Sequence, residues 1–219
     1  MPLAALAPLA AAASSLERDD LLFYASLDGR LTADFARGAA EPQGTVPALE
    51  FAAGVRGKGV VARERVTWDG AANVRGEQGT LAFWLRPVDW STGDGRNHHL
   101  AWLDTANGVM RLYQYYPGNL GMHLQSPQGT RVCWANARLS PERFVHLAFA
   151  WRHGEWTFYV DGVRRQRVTE NWMPFGDIRR LQLGEGNTVF DELMLFGRAL
   201  RAEEVQALLH RALRAPGAE

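Results

Sequence analysis

Short apolar runs with a period of two fill the chain from Leu21 to Phe196, and Gly, Pro, Asn and Asp separate one run from the next. A period of two marks strands, because successive Cβ atoms point to opposite faces of a sheet. The pattern predicts strands over 21–27, 48–53, 59–63, 80–87, 98–104, 109–116, 120–126, 131–135, 144–152, 155–161, 163–169, 179–184 and 188–196. No helix-period segment of useful length precedes residue 200, so βαβ units are not expected. The chain has 219 residues, with no internal repeat and no linker rich enough in Pro, Ser or Gly to divide it. One domain of two packed antiparallel sheets follows. Thr32 to Pro47 is the longest stretch without a pattern.

The clearest local unit is "RFVHLAFAWRHGEWTFYVDGVRRQRV", residues 143–168. Leu147, Phe149 and Trp151 alternate with His146, Ala148 and Arg152, while His153-Gly154 and Asp161-Gly162 supply residues that tolerate the positive φ of tight hairpins. Three strands of a meander are expected here. The chain's end differs. Phe190, Glu192, Met194 and Phe196 fall on one face of a strand and Asp191, Leu193 and Leu195 on the other, a nearly two-sided apolar pattern that belongs inside a sheet. After Gly197, Val205, Leu208, Leu209, Ala212 and Leu213 follow the stripe of a helix that buries one side. Arg201 stands where a Ser or Thr would cap that helix, so its capping box with Glu204 is incomplete.

These segments carry a family resemblance. The meander is similar to the "W-x-H-x-A…W…LYVDG" unit of laminin-G-like jelly-roll domains, within the concanavalin A-like lectin and glucanase superfamily. "LLFYASLDGRLTADFARG", "GVRGKGVV" and "GTLAFWLRPVDW" resemble that family's opening strands, and "FDELMLFGRALRAEEVQALL" resembles its close, a last strand followed by a short helix. The likeness covers residues 21–213 and implies an all-β, two-sheet antiparallel jelly-roll β-sandwich with a short C-terminal helix. Residues 1–20 are then a leader and 214–219 a tail. "MPLAALAPLAAAA" at the start is apolar and ends in small residues, like a truncated or mis-started signal peptide, but it lacks a basic n-region and is too short to span a bilayer. A secreted, periplasmic or cell-surface protein without a membrane span is expected.

Lys and Arg total 24, as do Asp and Glu, and no basic stripe interrupts the balance, so nucleic acid is not expected as a partner. Cys133 is the only cysteine, which excludes an internal disulfide and a cysteine-based zinc site. His98 and His99 would point to opposite faces, and His146 and His153 are separated by a turn, so histidine spacing offers no zinc site. No cofactor is expected. Asp28, Asp191 and Glu192 are the carboxylates that would contribute to a structural calcium, as related jelly rolls often hold one.

The fold hosts lectins, receptors, hydrolases and lyases, so function must come from a site. Retaining glycosidases of this superfamily place their carboxylates on alternate positions of one strand, an arrangement missing from every candidate strand here. "VMRLYQYYPGNLGMHLQS" is more informative. A three-residue Pro117-Gly118-Asn119 connection would pair Tyr113 with His123 and Arg111 with Gln125, leaving one apolar face and one bearing Arg, Tyr, Tyr, His and Gln. Such a face on the concave side of a jelly roll suits a glycan, because pyranose C–H faces stack on aromatic rings while hydroxyls need directional partners. The expected glycan-binding set is Trp84, Arg86, Arg111, Tyr113, Tyr115, His123, Gln125 and Trp134. Trp68, Trp102, Trp151 and Trp156 are assigned to the core.

A non-catalytic carbohydrate-binding or adhesion module is the expected function, with a polysaccharide or other glycan as partner. One alternative is a polysaccharide lyase acting on a uronate, with Tyr113 and His123 moving protons and Arg111 and Gln125 neutralising the carboxylate. The order His123-Leu124-Gln125 reverses the Gln-x-His of alginate lyases. The other alternative is protein–protein adhesion through the loops.

Overall fold

The structure is a computed structural model, and it describes residues 20–44, 49–172 and 175–213. The expected tail and residues 1–19 of the leader lie outside the described residues. In chain order the strands are β1 (Leu21–Ala25), β2 (Phe35–Ala36), β3 (Glu50–Ala53), β4 (Lys58–Ala62), β5 (Val66–Asp69), β6 (Gln78–Pro87), β7 (His98–Thr105), β8 (Val109–Gln114), β9 (Leu120–Ser126), β10 (Gly129–Ala135), β11 (Val145–Arg152), β12 (Glu155–Val160), β13 (Val163–Thr169), β14 (Ile178–Leu183) and β15 (Thr188–Phe196), followed by helix α1 (Ala202–Leu213). All sheet pairings are antiparallel. One sheet of nine strands runs β13-β12-β11-β6-β15-β1-β2, with β4 also pairing β15 and carrying β3; the other, of six, runs β10-β9-β8-β7-β14-β5.

Each sheet turns its apolar positions inward. Phe23, Phe83, Phe149, Trp151, Phe158 and Phe190 meet Trp68, Leu103, Leu112, Met122, Leu124 and Leu181 in one core, at about 1.5–3 kcal/mol for each large side chain taken from water. Phe23 packs edge-on to Trp68 at 5.8 Å between ring centroids, and Phe83 edge-on to Phe190 at 5.6 Å. Cys133 is buried and free, and that burial pushes its thiol up to about 12. The meander forms as its turns require, with both Asp161 (φ 50°) and Gly162 (φ 73°) in the left-handed region of a type I′ hairpin.

The patternless stretch holds β2 and a bridge from Pro42 to Trp68. Neither β2 nor β5 was legible, because each is too short to show a period; pairing to β1 and β14 makes them strands. In β15 the simple alternation fails. A bulge between Asp191 and Met194, with Glu192 at φ 53°, puts Phe190 on the same inner side as Leu193 and Leu195, while Met194 and Phe196 face outward. One extra residue reverses the parity of everything after it.

Helix α1 covers the outer face of the nine-stranded sheet, where Val205 and Leu208 pack on Ala82, Ala148, Ala150, Tyr159 and Phe196. Glu204 replaces the missing cap: it accepts from the Arg201 amide at 2.8 Å and from both terminal nitrogens of Arg198 at 2.9 Å. Burial alone would raise the Glu204 carboxyl, but these donors hold it down at about 2. Arg198 also meets Asp20 at 2.7 Å, which ties the start of the domain to its end. Among the described residues no helix is long and apolar enough to cross a membrane.

Candidate functional site

The outer face of the six-stranded sheet has no helix over it among the described residues, and its polar side chains come from β7 to β10. The β8–β9 register differs from the expected one by two residues: Arg111 lies opposite His123, Tyr113 opposite Gly121 and Val109 opposite Gln125. The turn still encloses three residues but sits one residue earlier, at 116–118, closed by Tyr115 and Asn119 with the Tyr115 amide donating to the Asn119 carbonyl at 2.7 Å. A slip of two preserves parity, so Leu112, Met122 and Leu124 still enter the core while Arg111, Tyr113, His123 and Gln125 share the outer face.

On β7 a bulge between His99 and Ala101 moves Trp102 onto this face. The sequence reading assigns Trp102 to the core; instead it is buried to 4 % exposure outside the core cluster, under the Arg65 guanidinium 4.0 Å from its ring centre. Trp68, Trp151 and Trp156 do lie in the core. One continuous row then crosses the sheet: Thr67, Gln182, Trp102, Arg111, His123 and Val132. Tyr113, Gly121 and Trp134 begin the adjacent row. His99 stacks on Trp102 at 5.4 Å and tilts against Tyr113 at 5.5 Å.

Trp134 lies across Gly121, where a Cβ would come within 2.7 Å of the indole. The glycine therefore lets an aromatic ring lie close to the strand. Trp134 also meets His123 edge-on at 5.3 Å, and its amide donates to the Gln166 side chain on β13, fixing the edge strand that carries it. Tyr113 stacks on His123 at 4.2 Å, with its hydroxyl 3.3 Å from His123 Nδ1. Tyr115 sits at the end of the same face, 6.0 Å from the Tyr113 ring.

Burial, and then the Arg111 charge, lower the His123 imidazole to about 4, so the ring is neutral at physiological pH. His99 is lowered by burial, with Arg111 and Arg65 acting the same way and Glu185 opposing. Burial raises Tyr113, and its protonated hydroxyl shares with His123 Nδ1 a hydrogen bond whose direction follows the imidazole tautomer. Three buried atoms here have no hydrogen-bond partner among the described residues: His99 Nδ1, His123 Nε2 and Arg111 Nε.

Two predicted residues do not join this face. Trp84 and Arg86 are on β6 of the other sheet. Trp84 is buried beside His146, ring centres 5.1 Å apart, and Arg86 lies over Phe144 with a hydrogen bond to the Pro141 carbonyl. Local alternation shows that a side chain leaves the core face of its strand, but not which sheet that strand enters. His99, Trp102 and Arg65 were missed for the same kind of reason, since the bulge and the β5 approach are set by distant neighbours. The glycine at 121, within an otherwise regular strand pattern, was the available signal for Trp134's close approach.

The carboxylates considered for calcium have protein partners. Asp191 accepts from the Val55 and Arg56 amides at 2.7 and 3.0 Å, Glu192 from the Tyr24 hydroxyl at 3.1 Å, and Asp28 from the Lys58 amide at 2.5 Å. Burial raises Asp191 to about 7. Among the described residues no group of three or more His, Cys, Asp or Glu converges to hold a metal. A cleft of about 830 Å³ opens at the loop end, between Ser91–Gly93, Pro117–Gly118 and Asn136–Ser140.

A family model described as concanavalin A-like lectin/glucanases superfamily, Laminin_G_3, matches residues 62–206. Comparison with curated protein sequences finds no match. Among solved structures, domain 4 of AbnA, a GH43 extracellular arabinanase from Geobacillus stearothermophilus in complex with arabinotriose, superposes with a TM-score of 0.72 at 19 % identity over 88 % of this chain and 100 % of that one. The binding domain of Paraclostridial Mosquitocidal Protein 1 gives 0.73 at 15 % identity, over 88 % of this chain and 52 % of that one. The botulinum neurotoxin serotype D ligand binding domain in complex with N-acetylneuraminic acid gives 0.73 at 12 % identity, over 91 % and 52 %. The chain spans about half the length of the two toxin domains. At these identities the likeness establishes the fold.

Proposed function

The chain belongs to the laminin-G-like family of the concanavalin A-like lectin/glucanase superfamily, and on that premise we propose that it is a non-catalytic carbohydrate-binding module of a secreted or cell-surface protein, with its glycan on the outer face of the six-stranded sheet. The observation that carries this reading is that Arg111 and His123 lie side by side with the half-buried Tyr113 and Trp134 rings on a sheet face that no helix of the described residues covers. Aromatic rings beside a guanidinium match what a sugar presents, apolar C–H faces edged with oxygen acceptors. The extracellular arabinanase domain, in complex with arabinotriose, supports a glycan ligand and an extracellular setting by analogy.

Affinity gel electrophoresis against a panel of neutral and uronate polysaccharides tests this. Retardation by at least one polymer, weakened about tenfold or more in Trp134→Ala, is the expected result. Unchanged retardation in Trp134→Ala and Tyr113→Ala would place the glycan elsewhere.

The contact between Tyr113 and His123 Nδ1 beside Arg111 favours one second reading, lyase action on a uronate. Ultraviolet absorbance from unsaturated product, lost in His123→Ala and Tyr113→Phe, would replace the module by the enzyme.

A further inference from the structure

Arg111 gives the open face a chemical bias that neutral sugars do not require. It lies on β8 between Trp102 and His123, so its neighbours across the sheet are an indole and a neutral imidazole. Its Nε is buried without a hydrogen-bond partner, and the side chain forms no ion pair among the described residues. No Asp or Glu occurs between Asp104 and Glu142, so β8, β9 and β10 bring no carboxylate of their own. Nearby carboxylates are engaged: Glu185 with Arg65 at 3.0 Å, Asp104 with Arg180 at 4.0 Å, and Glu170 with Arg131 at 2.6 Å. A cation partly withdrawn from water and left without a counter-charge is unfavourable until an anion reaches it.

We propose that this face selects a glycan bearing a carboxylate on its sugar ring, with the Arg111 guanidinium as the fork for that carboxylate. The proposal rests on the glycan-binding reading above. A single planar guanidinium matches a two-oxygen carboxylate bidentately, and the adjoining Tyr113 and Trp134 rings supply the surface for the sugar that carries it. Neutral His123 adds no charge beside Arg111, which leaves one cation for one carboxylate. Densely sulfated chains call for several free cations, and Arg131 on β10, Arg180 on β14 and Arg65 just before β5 are already paired.

The test compares polygalacturonate, alginate and hyaluronate with their carboxyl-reduced forms, adding dextran sulfate, at about 0.15 M salt to screen long-range attraction. At least one acidic polymer is expected to bind about tenfold or more tightly than its reduced form. Arg111→Gln should abolish that preference, and Arg111→Lys, which keeps the charge and loses the fork, should retain only part of it. Arg164→Gln is the control, in a separate cleft of about 490 Å³ lined by Arg152, Arg164, Arg167 and Arg201; it should bind as the unaltered chain does. Denaturation midpoints confirm that each variant is folded. Equal binding of acidic and reduced polymers would overturn the carboxylate preference and leave the glycan face standing. Arg111-dependent binding of dextran sulfate at equal strength would also overturn it, as would loss of binding in Arg164→Gln. Failure to bind any polymer would overturn both the preference and the glycan reading.

Discussion

The two sheets turn opposite kinds of outer face. On the nine-stranded sheet, Ala82 and Ala148 lie opposite each other with Ala150 close by, and these small residues form a shallow bed into which Val205 and Leu208 of α1 pack. On the six-stranded sheet the equivalent positions carry an indole, imidazoles, a phenol and a guanidinium. Such side chains stand too tall and too polar for a helix to seat on them without stranding their donors. Small apolar residues on a strand's outer side thus mark a place for the chain's own elements, while large amphipathic ones mark a surface left for water or a ligand.

Damage to the covered face should cost stability, and damage to the open face should cost binding. The largest effect is expected from Val205→Asp, which puts a charge at a fully buried position and should lower stability by about 4 kcal/mol, read from urea midpoints by circular dichroism. Glycan affinity of the folded fraction should not change. Glu204→Gln follows at about 2 kcal/mol, because it takes one charged acceptor from Arg198, which keeps Asp20, and the charged acceptor of the Arg201 amide. Glu204's folded value, about 2, lies below its unfolded one. Its stabilisation is complete above about pH 4.5 and lost as pH falls towards 2. An unchanged acid transition in Glu204→Gln would break this account of the helix start.

Two titrations sharpen the contrast. Asp191, raised to about 7 within the nine-stranded sheet, holds its proton more tightly folded than unfolded, so its share of stability falls as pH rises from about 4 to 7. His123, lowered to about 4 on the open face, acts the other way: its share is present above about pH 6.5 and lost as pH falls towards 4. Each limb should amount to about 2 kcal/mol once screening is allowed for. Asp191→Asn should flatten the first limb. His123→Phe should reduce the second without removing it, since buried His146 is lowered to about 4 as well. Stability profiles from pH 4 to 8 check both, and identical slopes in the two variants would sink the assignment. The smallest stability change, under about 1 kcal/mol, is expected for half-buried Trp134→Ala, the variant that should weaken binding most plainly.

Much of this was legible before any pairing was known. The meander, the interior position of β15, the helix and the separation of polar from apolar faces on β8 and β9 all follow from local periods of two or 3.6 residues. The separation held even though the register was two residues off, because parity alone sets the face. The site was only partly legible. Arg111, Tyr113, His123, Gln125 and Trp134 were placed on one face, Trp84 and Arg86 were not, and His99 and Trp102 were absent from the expected set.

The sequence by itself determined which side chains leave the core face of each long regular strand, since that depends only on the geometry of successive residues. Tertiary structure decided which sheet each strand enters and where an extra residue is accommodated. It seated Trp84 beside His146 in the nine-stranded sheet, and it turned Trp102 outward through the β7 bulge. A bulge costs ladder hydrogen bonds locally and persists only because neighbours distant in sequence accept it, so no period within β7 could announce it.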